Sequence, residues 1–275
     1  MTGRLVVIGA AFLLAWSVPG VGAAAAQEVA SRCLAIAQSV PSAIAVTYIP
    51  VQERLAPVAD EEVNIRFVGH STFLITSPAG VTIATDYNGY AGMGVTPRVV
   101  TMNRAHSSHY TDAPDPGIEH VLRGWNPEGG PAEHYLELDD VLIRNVTTDI
   151  RFGGGVLADA NSIFIFETAR LCIGHVGHLH HVLAAEDLNW IGQLDIVMVP
   201  VDGSYTMDQD AMVETLQVVK ARLILPMHYF GQATLSRFLA RLGQDFEVEL
   251  NGEPEITVSV ATLPQSPTVL VLPGY

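Results

Sequence analysis

The sequence predicts an α/β (α+β) fold in which two β-sheets pack together with helices outside them. Three observations carry this reading. Short apolar runs separated by turn residues fill the chain from Val63 to Ile173, strand-like and helix-spaced segments alternate after that, and no later stretch is long and apolar enough to cross a membrane. With 275 residues and 49% hydrophobic content, the chain can bury a full core as one large domain.

Residues 1–26 read as a secretory signal. Arg4 supplies the positive start, Leu5 to Trp16 the apolar stretch, and Ala24-Ala25-Ala26 the small-residue cleavage site before Gln27. The protein is therefore expected to be exported, periplasmic or secreted, with no stable membrane span once the signal is removed. Residues 27–62 contain Pro41 and Pro50 and show weak periodicity, so they are expected to form an N-terminal extension on a domain spanning 63–275.

Strands are expected at Val63 to Val68, Thr72 to Thr76, Val81 to Ala84, Val99 to Met102, Val141 to Val146, Ser162 to Phe166 and Leu171 to Ile173. Pro78-Ala79-Gly80 is the turn of a hairpin, and the proline- and glycine-rich segment Asp112 to Pro131 reads as a long loop. Further on, Ala184 to Ile191 reads as a short helix and Ile196 to Val201 as a buried strand. Thr206 with Gln209 forms a capping-box signature for a helix running to about Lys220, with Met212, Val213, Leu216 and Val219 on one face. Leu223 to Leu225 is another strand, and Leu235, Phe238, Leu239 and Leu242 mark a last helix stopped at Gly243.

Charge and cysteine usage narrow the function. The net charge of −15 argues against nucleic acid or an anionic membrane as partner and leaves a small-molecule substrate as the expectation. Cys33 and Cys172 are too few for a disulfide scaffold. An exported protein can join them, although Cys172 reads equally well as a small core residue.

The histidines are the sharpest signal. Four of ten fall between His175 and His181, directly after the apolar run Leu171 to Gly174. Arg104-Ala105-His106-Ser107-Ser108-His109 follows the run Val99 to Met102, and His228 follows Leu223 to Met227. Neutral imidazoles delivered by three strand ends are what a transition metal requires. His70, which precedes a strand-like run, reads as a satisfied buried histidine, with support of a ligand from behind as the alternative.

Together these segments carry a resemblance. Gly69-His70-Ser71-Thr72-Phe73, Thr85-Asp86, the two histidine clusters, Met198 to Asp208, and Leu225-Pro226-Met227-His228-Tyr229 resemble, in order and spacing, a metallo-β-lactamase fold hydrolase over roughly residues 63 to 260. The match is similar to the branch containing ascorbate-6-phosphate lactonase. The resemblance implies an αββα four-layer sandwich of two mixed β-sheets with outer helices and a metal site along one sheet edge. The family's H-x-H-x-D-H motif is degenerate here: His106 and His109 remain, Arg104 stands at the first histidine and Ser108 at the aspartate. His175 and His228 match later ligands, and His178 stands where the family has a bridging aspartate.

On this basis His106, His109, His175, His178 and His228 are the expected metal ligands. The resemblance would give one half-site only His106 and His175, and the other His109, His178 and His228, so one zinc ion is expected rather than two. Copper or nickel would accept the same donors. Asp86, Asp112, His181 or Asp202 would replace the missing carboxylate, each with a plain alternative: turn bracing for Asp86 and Asp202, solvation for Asp112, a surface position for His181. Arg104 and Tyr229 are the candidate substrate contacts, with Arg104 reading equally as a clamp for an anionic group or as a structural ion pair. The expected function is an exported metal-dependent hydrolase acting through a metal-bound hydroxide on an ester, lactone or phosphoester. The alternative is a non-catalytic metal- or ligand-binding protein that keeps the fold.

Overall fold

The computed structural model describes residues 31–34 and 61–274. The expected signal at 1–26, and the 27–62 extension apart from 31–34, 61 and 62, lie outside the described residues.

Two mixed sheets form the sandwich. The six-stranded sheet runs in the order β13-β1-β2-β3-β4-β5, from β1 (Val63–Gly69), β2 (Thr72–Thr76), β3 (Thr82–Ala84), β4 (Val99–Met102), β5 (His120–Arg123) and β13 (Glu255–Val258). The eight-stranded sheet runs β12-β14-β11-β10-β9-β8-β7-β6. Its members are β6 (Tyr135–Leu138), β7 (Val141–Phe152), β8 (Gly155–Thr168), β9 (Leu171–His175), β10 (Ile196–Pro200), β11 (Leu223–Met227), β12 (Glu247–Leu250) and β14 (Thr268–Val271). Described helices are α1 (Ala185–Ile191), α2 (Gln209–Val219) and α3 (Gln232–Leu239), each following a strand of the larger sheet.

Period-two alternation fixes which residue faces which layer. In β8, Phe164 and Phe166 point between the sheets while Ile163 and Ile165 point outward; in β10, Ile196 and Met198 point inward, and Val197 and Val199 outward. The outward set meets Ile191, Met212, Leu216, Leu235 and Phe238 from the three helices. Strands covered on both faces read as continuous apolar runs, as β10 and β11 do throughout and β9 does from Leu171 to Ile173. On the outer face of the smaller sheet, Val68, Leu74, Val100 and Met102 are covered by loop residues including Tyr87, Ala91 and Ile118 among the described residues.

Several boundaries differ from expectation. β7 and β8 extend far beyond their apolar cores as a long hairpin of 12 and 14 residues. β5 lies inside the segment expected as a loop, pairing parallel to β4. The α2 cap is Asp208, whose carboxylate accepts from the Asp210 and Ala211 amides, rather than Thr206. Thr206 is instead spent on Asp202.

Cys33 is disulfide-bonded to Cys172 of β9, across 139 residues. Glu167 reinforces this attachment by accepting from Ser31 Oγ at 2.6 Å and from the Arg32 amide at 2.9 Å.

Strands β9, β10 and β11 run parallel in register, so their carboxyl ends meet one edge of the sheet. His175 closes β9 and His228 follows β11 directly. The β1–β2 turn brings His70 beside His228, whose amide donates to the His70 carbonyl at 2.7 Å. The loop after β4 supplies His106 and His109.

Candidate metal centre

Four imidazoles converge at this edge. His70, His106, His109 and His228 each offer a nitrogen within 4.8 Å of the others, forming a cluster that can bind a metal. His109 Nε2 and His228 Nε2 lie 3.1 Å apart. That separation is close to the edge of a zinc tetrahedron with nitrogen bonds of about 2.0–2.1 Å, roughly 3.3–3.4 Å.

Each of these two rings has a carboxylate behind it. His109 Nδ1 donates to Asp86 Oδ2 at 2.6 Å, both side chains being fully buried, and His228 Nδ1 lies 3.1 Å from Asp202 Oδ1. The second contact is close but off the line of a hydrogen bond. Carboxylates facing Nδ1 favour the proton there and leave Nε2 with its lone pair, so two lone pairs face one another. A cation between them relieves that repulsion.

The remaining electrostatics also disfavour protons in the cluster. Burial, followed by the neighbouring His228, His109 and His106, pulls His70 down to about 3. Burial with His109 and His228 pulls His106 down to about 4 and His178 to about 2. Burial alone would raise Asp86, yet His109 and His175 hold it at about 2, so it is ionised at neutral pH. Asp202 is likewise held well below the usual carboxylate range, against the opposing effect of burial, by the adjacent His228 imidazole and the Thr206 hydroxyl. Imidazole nitrogens backed by ionised carboxylates suit a divalent metal.

Backbone geometry at the site is unusual. His70, Asp86 and His228 occupy positive φ of 53°, 42° and 58°, a region that costs a non-glycine residue on the order of 1–3 kcal/mol and concentrates at functional sites. Asn103 Nδ2 donates to Asp86 Oδ1 at 2.9 Å and thereby fixes the carboxylate. Gly177, at φ 61°, is required because a Cβ there would lie 2.3 Å from Asn103 Nδ2 and 2.4 Å from Asn161 Oδ1.

The expected residues divide clearly. His106, His109 and His228 come together: the His106 ring centroid is 4.5 Å from that of His109 and 5.6 Å from that of His228. His178 stands beside them, its ring 4.8 Å from His109, with Nε2 buried and without a hydrogen-bond partner. His175 departs from its expected role as a ligand. Its Nε2 donates to the Ser71 carbonyl at 2.9 Å and its Nδ1 accepts from the Gly177 amide, so neither nitrogen is free for a metal. It braces the turn that carries His70.

Asp86 and Asp202 stand behind ligand rings. Asp202 also collects the amides of Ser204, Tyr205 and Thr206, so it braces a turn and faces His228 at once. Asp112 and His181 are exposed and do not join the cluster; His181 Nδ1 instead meets the Val182 carbonyl. Arg104 is exposed, and its guanidinium makes no ion pair with the described residues. Tyr229 points its hydroxyl at the Leu272 carbonyl and packs on Phe67, away from the imidazoles. Ser108, at the position of the missing aspartate, bridges His106 Nδ1 at 2.6 Å and His70 Nε2 at 2.9 Å.

Sequence reasoning passed over His70. The signal was present: like the other clusters, it ends an apolar strand run, and Gly69 before it permits the tight turn.

Comparison with known proteins agrees with this architecture. The beta-lactamase superfamily domain matches residues 64–228, and the chain belongs to that family. A UPF0173 metal-dependent hydrolase of Thermococcus onnurineus is 23% identical over 197 residues, covering 61% of this chain and 84% of the relative. A Thermotoga maritima structure assigned to the Zn-dependent hydrolases of the metallo-β-lactamase superfamily superposes with a TM-score of 0.57 at 25% identity, covering 78% of this chain and all of that one. A metallo hydrolase of Ignicoccus hospitalis shares the fold at 18% identity and a TM-score of 0.50, covering 72% of this chain and 99% of its own. The proteins this chain resembles are thus described as metal-dependent hydrolases of the metallo-β-lactamase superfamily, whose domain it shares.

Proposed function

We propose that this is an exported zinc hydrolase of esters, lactones or phosphoesters, with one ion held by His109 and His228 and completed by His70 and His106. The observation that carries the reading is the pair of Nε2 atoms at 3.1 Å, each ring backed by a carboxylate. Zinc is favoured over iron because the donors are imidazoles. When bound, zinc supplies a Lewis acid for the scissile carbonyl or phosphoryl oxygen and brings the pKa of its water toward 7. Asp86 and Asp202 orient the two ligand rings, and the Ser108 hydroxyl, between His70 and His106, can accept or pass a proton. Exposed Tyr205 and Phe230 flank the imidazoles, with ring centroids 6.3 Å from His106 and 5.5 Å from His228 respectively, and offer apolar faces to a substrate. Arg104 is the cation available for an anionic substrate group. The Cys33–Cys172 disulfide supports an oxidising compartment and hence export.

A second reading, a metal-binding protein without catalysis, is favoured by one observation: both buried aspartates stand behind ligands, leaving Ser108 where the family places a carboxylate. The zinc-loaded protein assayed on p-nitrophenyl esters, lactones and phosphodiesters separates the two. Turnover abolished by His228→Ala supports the hydrolase, and zinc binding with no turnover on any class supports the binder.

A further inference from the structure

We propose that His178 is an N–H donor to an oxyanion at the histidine cluster, not a metal ligand, and that an Arg151–His180–His178 relay fixes it in that role. The inference rests on the reading of the cluster as a metal site.

The relay starts on β7. The Arg151 amide and its Nε both donate into His180 Nδ1, at 3.2 and 3.1 Å. Neither arginine group can accept, so His180 Nδ1 must carry a lone pair. A ring whose Nδ1 accepts cannot be an imidazolium, so His180 is neutral. A neutral imidazole with a bare Nδ1 holds its proton on Nε2. That Nε2 lies 2.7 Å from His178 Nδ1, which therefore accepts. His178, also neutral, then carries its own proton on Nε2, the atom that is buried and without a partner.

A buried N–H without an acceptor is costly, and a cation would repel it. An anion would not. The His178 ring stands edge-on to those of His106, His109 and His228, at 5.1, 4.8 and 5.1 Å, so an anion bound at the cluster lies beside it. The relay is anchored at both ends: Arg151 Nη2 donates to the Thr206 carbonyl, and the His178 amide donates to Asn161 Oδ1 at 2.7 Å. A carboxylate at position 178 would attract a second cation. The relay substitutes a donor, which fits one ion and a tetrahedral or planar oxyanion such as phosphate or the charge developed on a hydrolysed ester.

Side-chain nitrogen NMR of histidine-labelled protein, with and without zinc, reads the tautomers directly. Nε2-protonated His178 and His180 are expected in both states, and Nδ1-protonated His178 overturns the proposal. Titration of the zinc-loaded protein with inorganic phosphate provides the second arm. His178→Ala is expected to keep zinc stoichiometry and weaken phosphate binding about ten- to hundredfold, with His178→Asn, whose amide also offers an N–H, recovering most of it. Zinc loss in His178→Ala, or unchanged phosphate affinity, overturns the donor role. A wild-type protein that binds no zinc would defeat the metal reading, whereas the tautomers would still report on the relay.

Discussion

Replacing Asp86 by Asn tests how the site holds its metal. The substitution is isosteric, so it leaves no cavity, and the amide oxygen can still accept from His109 Nδ1. The negative charge is lost, however: Asp86, held at about 2, is ionised at pH 7. The new amide must also turn its NH2 toward Asn103 Nδ2, which now donates to Asp86 Oδ1 at 2.9 Å, and two donors cannot bond. Both effects lower the basicity and fixity of His109 Nε2. Removal of such a partner typically weakens metal binding about 10–100-fold, or roughly 1.4–2.8 kcal/mol. Competition with a chromophoric chelator, at matched folded fraction by circular dichroism, measures this. Zinc affinity within twofold of wild type would refute the reasoning that Asp86 supports a ligand.

Three further outcomes follow from the same geometry. Gly177→Ala drives a Cβ to 2.3 Å from Asn103 and forces alanine into φ 61°, so unfolding by urea should show a loss of about 2–4 kcal/mol; less than about 1 kcal/mol would contradict the packing argument. In the zinc-free protein, His70, His106 and His178 stay neutral in the fold while the unfolded chain takes up protons below the ordinary value of 6.5. Stability should therefore be full above pH 6.5 and decline as pH falls toward about 4. The Asp86 contribution is present above 3.8 and is lost only toward about 2. A urea midpoint unchanged between pH 7 and 5 would contradict these histidine shifts. Reducing the Cys33–Cys172 bond, which spans 139 residues, should cost about 2–5 kcal/mol, and thermal unfolding with and without reductant that coincides would show the bond to be unimportant.

The strands that matter most were legible because both their faces are buried. β10 and β11 are uninterrupted apolar runs, β9 is one up to Ile173, and each leads into a residue of the site or its support. Two of the strands missed had no such pattern: β12 is exposed at every position and alternates Glu with Val and Leu, and β5 sits among prolines and glycines with every residue half-buried. Such strands are specified by their neighbours, β14 and β4, more than by their own residues. The same limit applied at the site. His106, His109 and His228 could be read from clustering after strands. The fate of His175 could not, because it depends on the Ser71 carbonyl 104 residues away. Nor could His178 be distinguished from a ligand, since its proton position is set by Arg151, across the β7–β8 hairpin. His70 follows an apolar run as the other clusters do, but as a single histidine it lacks their clustering, and only the β1–β2 turn brings it beside His228.

The central claim is that a metal ion is held among His70, His106, His109 and His228. An anomalous difference map at the zinc edge, from crystals of the zinc-loaded protein, tests it most directly. The account predicts one strong peak between His109 Nε2 and His228 Nε2, with His175 outside its coordination sphere. A peak coordinated by His175, or zinc-loaded crystals with no peak among the four imidazoles, would contradict it.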